Sequence, residues 1–302
     1  MASTQAIDAE VDGRTVRLTS LDRVIWPEIG ATKGWLLQAY TQLAAVLLPH
    51  LRRHPITMWR FPEGVHRQGW WQNECRGAPS SVAEFRYTAK DGREHRHCVI
   101  DDLSSLLWLV NLGTVEIHPF PFTVEAPDEP AWQVFDLDPG EPAGIRDACQ
   151  VAMILRDVLS AQGLASFAKT SGSKGIHVLV PLNGGAGFEA SKAYARTVAA
   201  FLAREHDDLV VDRQARDLRE GKVLVDWLQN DRYRSTVAPY SLRRTPEATI
   251  STPVTWEEIA AVASDERPPD ALTFALDDVL RRVERHGDLF EPALSLGQRL
   301  TV

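Results

Sequence analysis

The sequence predicts an α/β (α+β) chain built around a mixed sheet. Three observations carry that expectation. Short strand-like runs alternate with amphipathic helical segments along most of the 302 residues. A Pro-rich stretch from Pro119 to Pro130 parts the chain into two lobes, residues 1–125 and 126–302. Beyond it a strand, a helix and two further strands follow one another, the pattern of a β-α-β unit.

The elements follow from local pattern. Val16 to Leu18 suggests a short strand. Thr32 can cap a helix to about Leu51, with Leu36, Tyr40, Leu43, Leu47 and Leu51 on one stripe. Pro55 ends that region, Ile56 to Phe61 reads as extended, and Pro62-Glu63-Gly64 as a turn. Phe85 to Thr88 and His95 to Ile100 form a hairpin around Lys90-Asp91-Gly92-Arg93. Leu103 to Leu112 reads as helix and Val115 to His118 as strand. In the second lobe, strands are expected at Trp132–Asp138, Ser166–Lys169, Ile176–Pro181, Val223–Trp227 and Thr236–Pro239. Helices are expected at Ile145–Gln162, Glu189–Arg204, Thr255–Ala263 and Leu272–Arg285. Thr255 and Glu258 have capping-box spacing.

A net charge of -8 argues against coating nucleic acid by bulk electrostatics. The charge is uneven, however. Arg52, Arg53, His54 and Arg60 cluster, as do Arg213, Arg216, Arg219 and Lys222, and Arg232, Arg234, Arg243 and Arg244. Each cluster reads equally as solvated surface arginine. No apolar run approaches the roughly 20 residues of a membrane helix, so no membrane partner is expected. The N-terminus is polar and acidic, unlike a secretory signal. Cys75, Cys98 and Cys149 are odd in number and lack paired metal-ligand spacing, so a reducing cytoplasm and no structural zinc are expected.

The most informative stretch is Val134-Phe135-Asp136-Leu137-Asp138-Pro139-Gly140. Alternate side chains of a strand share a face. Phe135 and Leu137 therefore enter the core, while Asp136 and Asp138 project together, their Cα atoms roughly 7 Å apart. Two such carboxylates repel each other, a penalty that a divalent cation removes; a solvated strand end has the same pattern. In Val223-Leu224-Val225-Asp226-Trp227 an acid interrupts an apolar strand. Asp226 completes a three-carboxylate site if the two strands are neighbours, and is otherwise a surface residue of an edge strand. Thr170-Ser171-Gly172-Ser173-Lys174-Gly175-Ile176-His177 is a basic Gly-Ser turn entering an apolar strand. It lacks the Walker A spacing and reads alone as an anion cradle or a plain hairpin. Carboxylates for metals and a basic turn together describe a site for a nucleoside triphosphate. Of Trp70-Trp71, one is expected to pack and the other to offer a stacking surface for a base; both are otherwise core residues.

These residues resemble the archaeo-eukaryotic primase superfamily, in particular the polymerase domain of bacterial ATP-dependent DNA ligase D and stand-alone primase-polymerases. The resemblance rests on Phe135-Asp-Leu-Asp-Pro-Gly-Glu141, Thr170-Ser-Gly-Ser-Lys-Gly-Ile-His177, Val225-Asp-Trp-Leu-Gln-Asn230, Ala238-Pro-Tyr-Ser-Leu-Arg243 and Val115-Glu-Ile-His118, and runs from about Arg17 to Leu289. It implies a catalytic sheet resembling an RNA-recognition motif, packed against an N-terminal α/β lobe that binds template and 5′-phosphate. It implies metal ligation and catalysis by Asp136, Asp138 and Asp226, with two divalent cations, Mn2+ or Mg2+. By the same resemblance Ser171, Lys174, His177 and Arg243 hold the triphosphate, Arg219 lies on a mobile loop near the nucleotide, and His118 lies near its sugar. Arg23 and Lys33 form a pocket for a 5′-phosphate, Arg60 belongs to the DNA-binding set, and Trp70 and Trp71 pack on the template strand. Lys33 opens a predicted helix, where free N–H groups also favour anions. Met58, Trp59 and Asn73 stand where relatives are often basic, which implies a weaker grip on DNA.

The implied activity is template-dependent nucleotide addition by two-metal phosphoryl transfer, ribonucleotide-preferring and filling short gaps in DNA repair, by end joining or excision repair. One metal, on all three carboxylates, would activate the primer 3′-hydroxyl; the other, on Asp136 and Asp138, would bind the triphosphate. Implied partners are gapped or broken duplex DNA with a 5′-phosphate, nucleoside triphosphates, an end-binding protein such as Ku, and a separate ligase, in the bacterial cytoplasm (nucleoid). No Lys-x-Asp-Gly ligase motif is present, so the chain reads as a stand-alone enzyme or an excised domain. The rivals are a primase that starts chains de novo and a non-catalytic RNA-recognition-like module. The latter expects aromatic residues on the central strands where Asp136 and Asp138 stand.

Overall fold

The computed structural model describes residues 6–88 and 92–300. Its N-terminal part opens with a hairpin, β1 (Ile7–Val11) and β2 (Arg14–Leu18), of which the sequence pattern shows only the second strand. A short pair, β3 (Val24–Trp26) and β4 (Ala31–Thr32), leads into α1 (Lys33–Leu51), capped by Thr32. β5 (Pro55–Arg60), β6 (Trp70–Gln72), β7 (Ala83–Thr88), β8 (Glu94–Val99) and, after α2 (Leu103–Asn111), β9 (Thr114–Pro119) form a five-stranded sheet. β7 and β8 pair antiparallel as expected, and Lys90 and Asp91 of their predicted turn lie outside the described residues.

The second sheet holds the site. β10 (Trp132–Pro139), α3 (Ile145–Ala161), β11 (Phe167–Thr170), β12 (Ile176–Pro181), α4 (Phe188–Glu205), β13 (Val210–Val211), β14 (Val223–Asp226) and β15 (Pro253–Val254) follow in chain order. The strands lie in the order β13-β14-β10-β12-β11-β15, antiparallel except for β13 with β14. Phe135 and Leu137 are fully buried, and Gln133, on the same side, bonds the Ser191 carbonyl of α4. The opposite side carries Val134, Asp136 and Asp138, with Val134 packed on Leu179 and Phe290. This is the mixed α/β layout expected, a largely antiparallel sheet with helices against one face. α5 (Trp256–Ala263) has the expected capping box, and Glu258 pairs with Arg282 of α6 (Leu276–His286).

Three expectations are corrected. Residues 236–239 form no regular strand. The Thr236 and Ala238 amides bond the Pro119 and Ile117 carbonyls of β9, and then Tyr240 turns away with φ +66°. Trp227 begins a 3-10 turn, so β14 ends at Asp226. Cys75 and Cys98 are joined in a disulfide, leaving Cys149 as the free, buried cysteine among the described residues. The odd count concealed this pair, because β8 and the segment after β6 meet only in the folded sheet. The first basic cluster also disperses. Arg53 pairs with Glu125, His54 is buried against the Phe120 carbonyl, and Arg60, at the other end of β5, bonds the Leu112 carbonyl.

Candidate active site

Asp136 and Asp226 stand directly opposite each other on β10 and β14, and Asp138 lies two residues further along the same face. The neighbourhood that the sequence left conditional is therefore present. Asn230 holds it in place, because its side-chain amide pairs with both the Val134 N–H, at 2.8 Å, and the Val134 carbonyl, at 2.7 Å. This substitutes for a strand pairing just past Asp226. Burial and the nearby Asp136 charge push the Asp226 carboxyl up. Burial also pushes Asp136 up, but His177, Lys169 and Arg243 outweigh it and hold that carboxyl below its usual range.

The Gly-Ser turn joins β11 to β12 and lies over the end of β10. A Cβ on Gly175 would come 2.5 Å from the Leu137 carbonyl oxygen, and one on Gly172 would come 2.5 Å from the Arg243 side chain. Glycine therefore allows both close approaches, and Gly172 also has a φ of +74°. The Ser173 and Gly175 amides donate to Ser171 Oγ at 3.2 and 3.1 Å, so these two do not make the free anion cradle expected; the hydroxyl proton of Ser171 is the better donor.

Basic side chains surround the acids, although burial holds the His177 imidazole down to about 4. His177 Nε2 is 3.2 Å from Asp136 Oδ1, Lys174 Nζ is 3.9 Å from Asp138 Oδ1, and Arg219 pairs with Asp138. The Arg219 loop packs on Gly140, where a Cβ would stand 2.0 Å from the Arg219 carbonyl oxygen. Arg243 Nη1 is 3.2 Å from Glu116, and its buried Nε has no hydrogen-bond partner among the described residues. His118 Nε2 is 3.0 Å from the same carboxylate, and its ring meets Trp71 edge-on at 4.7 Å. A cleft of about 340 Å³ runs between Trp71, His118, Asp136, Asp138, Lys174 and Arg243.

Two residues of this site were given no role by the sequence. Glu116 is fully buried and joins Arg243, His118 and the Arg244 amide. Its alternation with His118 along β9 was the available signal. Lys169 is fully buried behind His177, and burial, with Arg243 beside it, pushes its amine far down. Nothing in its local sequence separates it from a surface lysine.

Trp70 and Trp71 are both about half exposed, 46% and 48%, so neither is the packed partner expected. β6 is a short edge strand; Arg60 lies over Trp70 at 5.2 Å, and Trp71 stacks on Trp59 at 4.7 Å. Arg244 closes the other side of Trp59 at 4.3 Å. Arg23, Lys33 and Arg60 are brought together, since both arginines depress the Lys33 amine, which burial above all lowers to about 8. The helix start adds little for an anion. Lys33 N donates to the Arg23 carbonyl, Gly34 N to the Leu21 carbonyl and Trp35 N to Thr32 Oγ1.

The acids suit a divalent cation by their chemistry: three carboxylates on one face, two of them opposed, with the Asp226 pKa raised by burial and then by that proximity. Among the described residues no three His, Cys, Asp or Glu side chains already surround an ion-sized space. Asp136 faces His177 and Asp138 faces Arg219, so both would turn from these partners to ligate.

Paired carboxylates at a strand end, facing a cleft lined by Lys174 and Arg243, are the arrangement expected of a nucleotidyltransferase core. The comparisons agree. Residues 32–290 match the family described as the LigD primase-polymerase domain. The chain belongs to that family of DNA-directed nucleotidyltransferases. It is 35% identical over 280 residues to the multifunctional non-homologous end joining protein LigD of Mycolicibacterium smegmatis, covering 92% of this chain and 36% of that protein. It is 29% identical over 273 residues to the bifunctional LigD of Bacillus subtilis, covering 90% of this chain and 43% of that protein. The chain thus spans well under half the length of these relatives. The polymerase domain of Mycobacterium tuberculosis ligase D in complex with DNA superposes with a TM-score of 0.85 at 31% identity, covering 94% of this chain and 99% of that one.

Proposed function

We propose that the chain extends a primer strand on a DNA template, adding ribonucleotides in preference to deoxyribonucleotides to fill short gaps during repair of broken ends. The observation that carries this reading is the opposition of Asp136 and Asp226, with Asp138 beside them, next to a cleft lined by Lys174, His177 and Arg243. In this reading residues 126–302 catalyse, and residues 1–125 hold the template and the 5′-phosphate. Its site of action is the bacterial cytoplasm at the nucleoid, beside an end-binding protein such as Ku and a separate ligase.

Asp136, Asp138 and Asp226 would hold two divalent cations, Mn2+ or Mg2+, which supply Lewis acidity toward the primer hydroxyl and the triphosphate. The protein's own part is positioning and electrostatics. The Lys174 ammonium and the Arg243 guanidinium neutralise triphosphate charge, and the Ser171 hydroxyl and His177 Nε2–H donate to its oxygens. Arg219 leaves Asp138 as the nucleotide enters. Glu116 fixes Arg243 and His118 relative to each other, the two side chains that this reading gives to the triphosphate and the sugar.

The test is extension of a labelled primer on gapped and recessed duplexes, with each nucleotide type and either metal. Extension should need a divalent cation and vanish in Asp136→Ala and Asp138→Ala proteins that melt cooperatively. Full extension by either variant would overturn the assignment.

A further inference from the structure

Four ionisable residues stand in one row across the catalytic sheet. Lys169 on β11 is opposite His177 on β12, His177 is opposite Asp136 on β10, and Asp136 is opposite Asp226 on β14. Three of them have roles above. Lys169 has none, yet burying an amine completely is expensive and needs partners.

The hydrogen bonds around Lys169 have a direction. Ser251 Oγ donates to the Thr170 carbonyl at 2.7 Å, so its lone pair faces Lys169 Nζ, which donates to it at 2.6 Å. A second contact of Nζ, at 3.0 Å, is with His177 Nδ1. A charged amine can only donate to Nδ1, and a neutral one can donate or accept. His177 Nε2 is 3.2 Å from Asp136 Oδ1, an acceptor when ionised, so the ring proton sits on Nε2 and Nδ1 accepts from Lys169. The other tautomer would turn a bare Nε2 lone pair toward a carboxylate oxygen.

We propose that Lys169 is a positioning residue that holds His177 as the Nε2–H tautomer, so that the imidazole presents a donor, not an acceptor, to the cleft. The Lys169–Ser251–Thr170 relay anchors that choice on β11 and the segment before β15. Its consequence for nucleotide binding rests on the proposed triphosphate role of His177; the tautomer itself does not.

The experiment is a long-range 1H–15N correlation spectrum of the histidine rings in the full chain, near pH 7.5 and without nucleotide. His177→Gln assigns the signal. Wild type should show His177 with its proton on Nε2, and Lys169→Met should give a mixture or the Nδ1–H form. In primer extension Lys169→Met should raise KM for the nucleoside triphosphate about tenfold or more, the loss of one hydrogen bond to a charged group, with kcat changed less. Ser251→Ala, a smaller change in case Lys169→Met does not fold, should shift both readouts in the same direction. An Nδ1–H or doubly protonated His177 in wild type overturns the proposal without any variant. So does a wild-type tautomer and KM in Lys169→Met, or in Ser251→Ala where Lys169→Met is unfolded. If the tautomer changes and KM does not, the proposed triphosphate role of His177 fails while the role of Lys169 stands.

Discussion

Replacing Lys33 with glutamine tests the 5′-phosphate pocket most directly. Glutamine removes the charge but keeps an N–H for the Thr19 carbonyl, which Lys33 Nζ now meets at 2.6 Å. Thr19 Oγ1, at 3.3 Å, takes a second N–H, so one of the three remains for a phosphate oxygen. With the helix amides occupied, that donor and Arg23 carry the contact. Arg23 is exposed and already paired with Glu63, so it has a competing partner to give up. One charge-assisted hydrogen bond contributes about 1.5–3 kcal/mol, or tenfold to a hundredfold in affinity.

The pH dependence has a defined sign. A terminal phosphate loses its second proton near pH 6 and is dianionic by neutrality. The Lys33 amine, at about 8 in the free protein, is charged below that value and neutral above it. Preference for a phosphorylated gap should therefore be greatest near pH 7 and decline above about 8, somewhat later if the bound dianion raises the amine again. Stability runs the other way. The unfolded lysine keeps its proton up to about 10.5 while the folded one has lost it, so stability rises with pH across that window. Anisotropy titrations of gapped DNA with a 5′-phosphate or a 5′-hydroxyl, for wild type and Lys33→Gln from pH 7 to 9, measure the difference. A wild type without phosphate preference, a variant that keeps all of it, or a preference that grows above pH 8 would refute the reasoning.

Asp226→Asn should abolish extension and raise the melting temperature at pH 7. Its ionised carboxyl is disfavoured in the fold, a penalty fully present above its raised pKa, and asparagine can still accept the Leu228 amide. Glu116→Ala should destabilise the chain by about 3 kcal/mol in denaturant titration, because it strips a buried charge from Arg243 and His118. Under manganese, the specificity constant for ribonucleotides should exceed that for deoxyribonucleotides, measured on one gapped template; a clear deoxyribonucleotide preference contradicts the reading of His118 as a sugar neighbour.

Local pattern was enough for most elements and for the acids. Alternation along Trp132–Asp138 puts Phe135 and Leu137 on one side and Asp136 and Asp138 on the other in any strand, whatever its neighbours. The capping box of Thr255 and Glu258 and the stripe of α1 are likewise set within a few residues. Pairings between distant residues were beyond its reach. The opposition of Asp136 and Asp226, the grip of Asn230 on Val134, and the bond between Cys75 and Cys98 depend on which strands become neighbours. The Thr236–Pro239 segment has a strand-like composition, yet it bonds β9 only at Thr236 and Ala238 before the chain turns at Tyr240. Both tryptophans of β6 are partly exposed because that strand lies at a sheet edge, which alternation does not report. Lys169 is the clearest case. Its burial, its partners and its place in the row with His177, Asp136 and Asp226 all come from register across four strands, since a side chain's environment is set by what packs against it and not by the residues beside it in the chain.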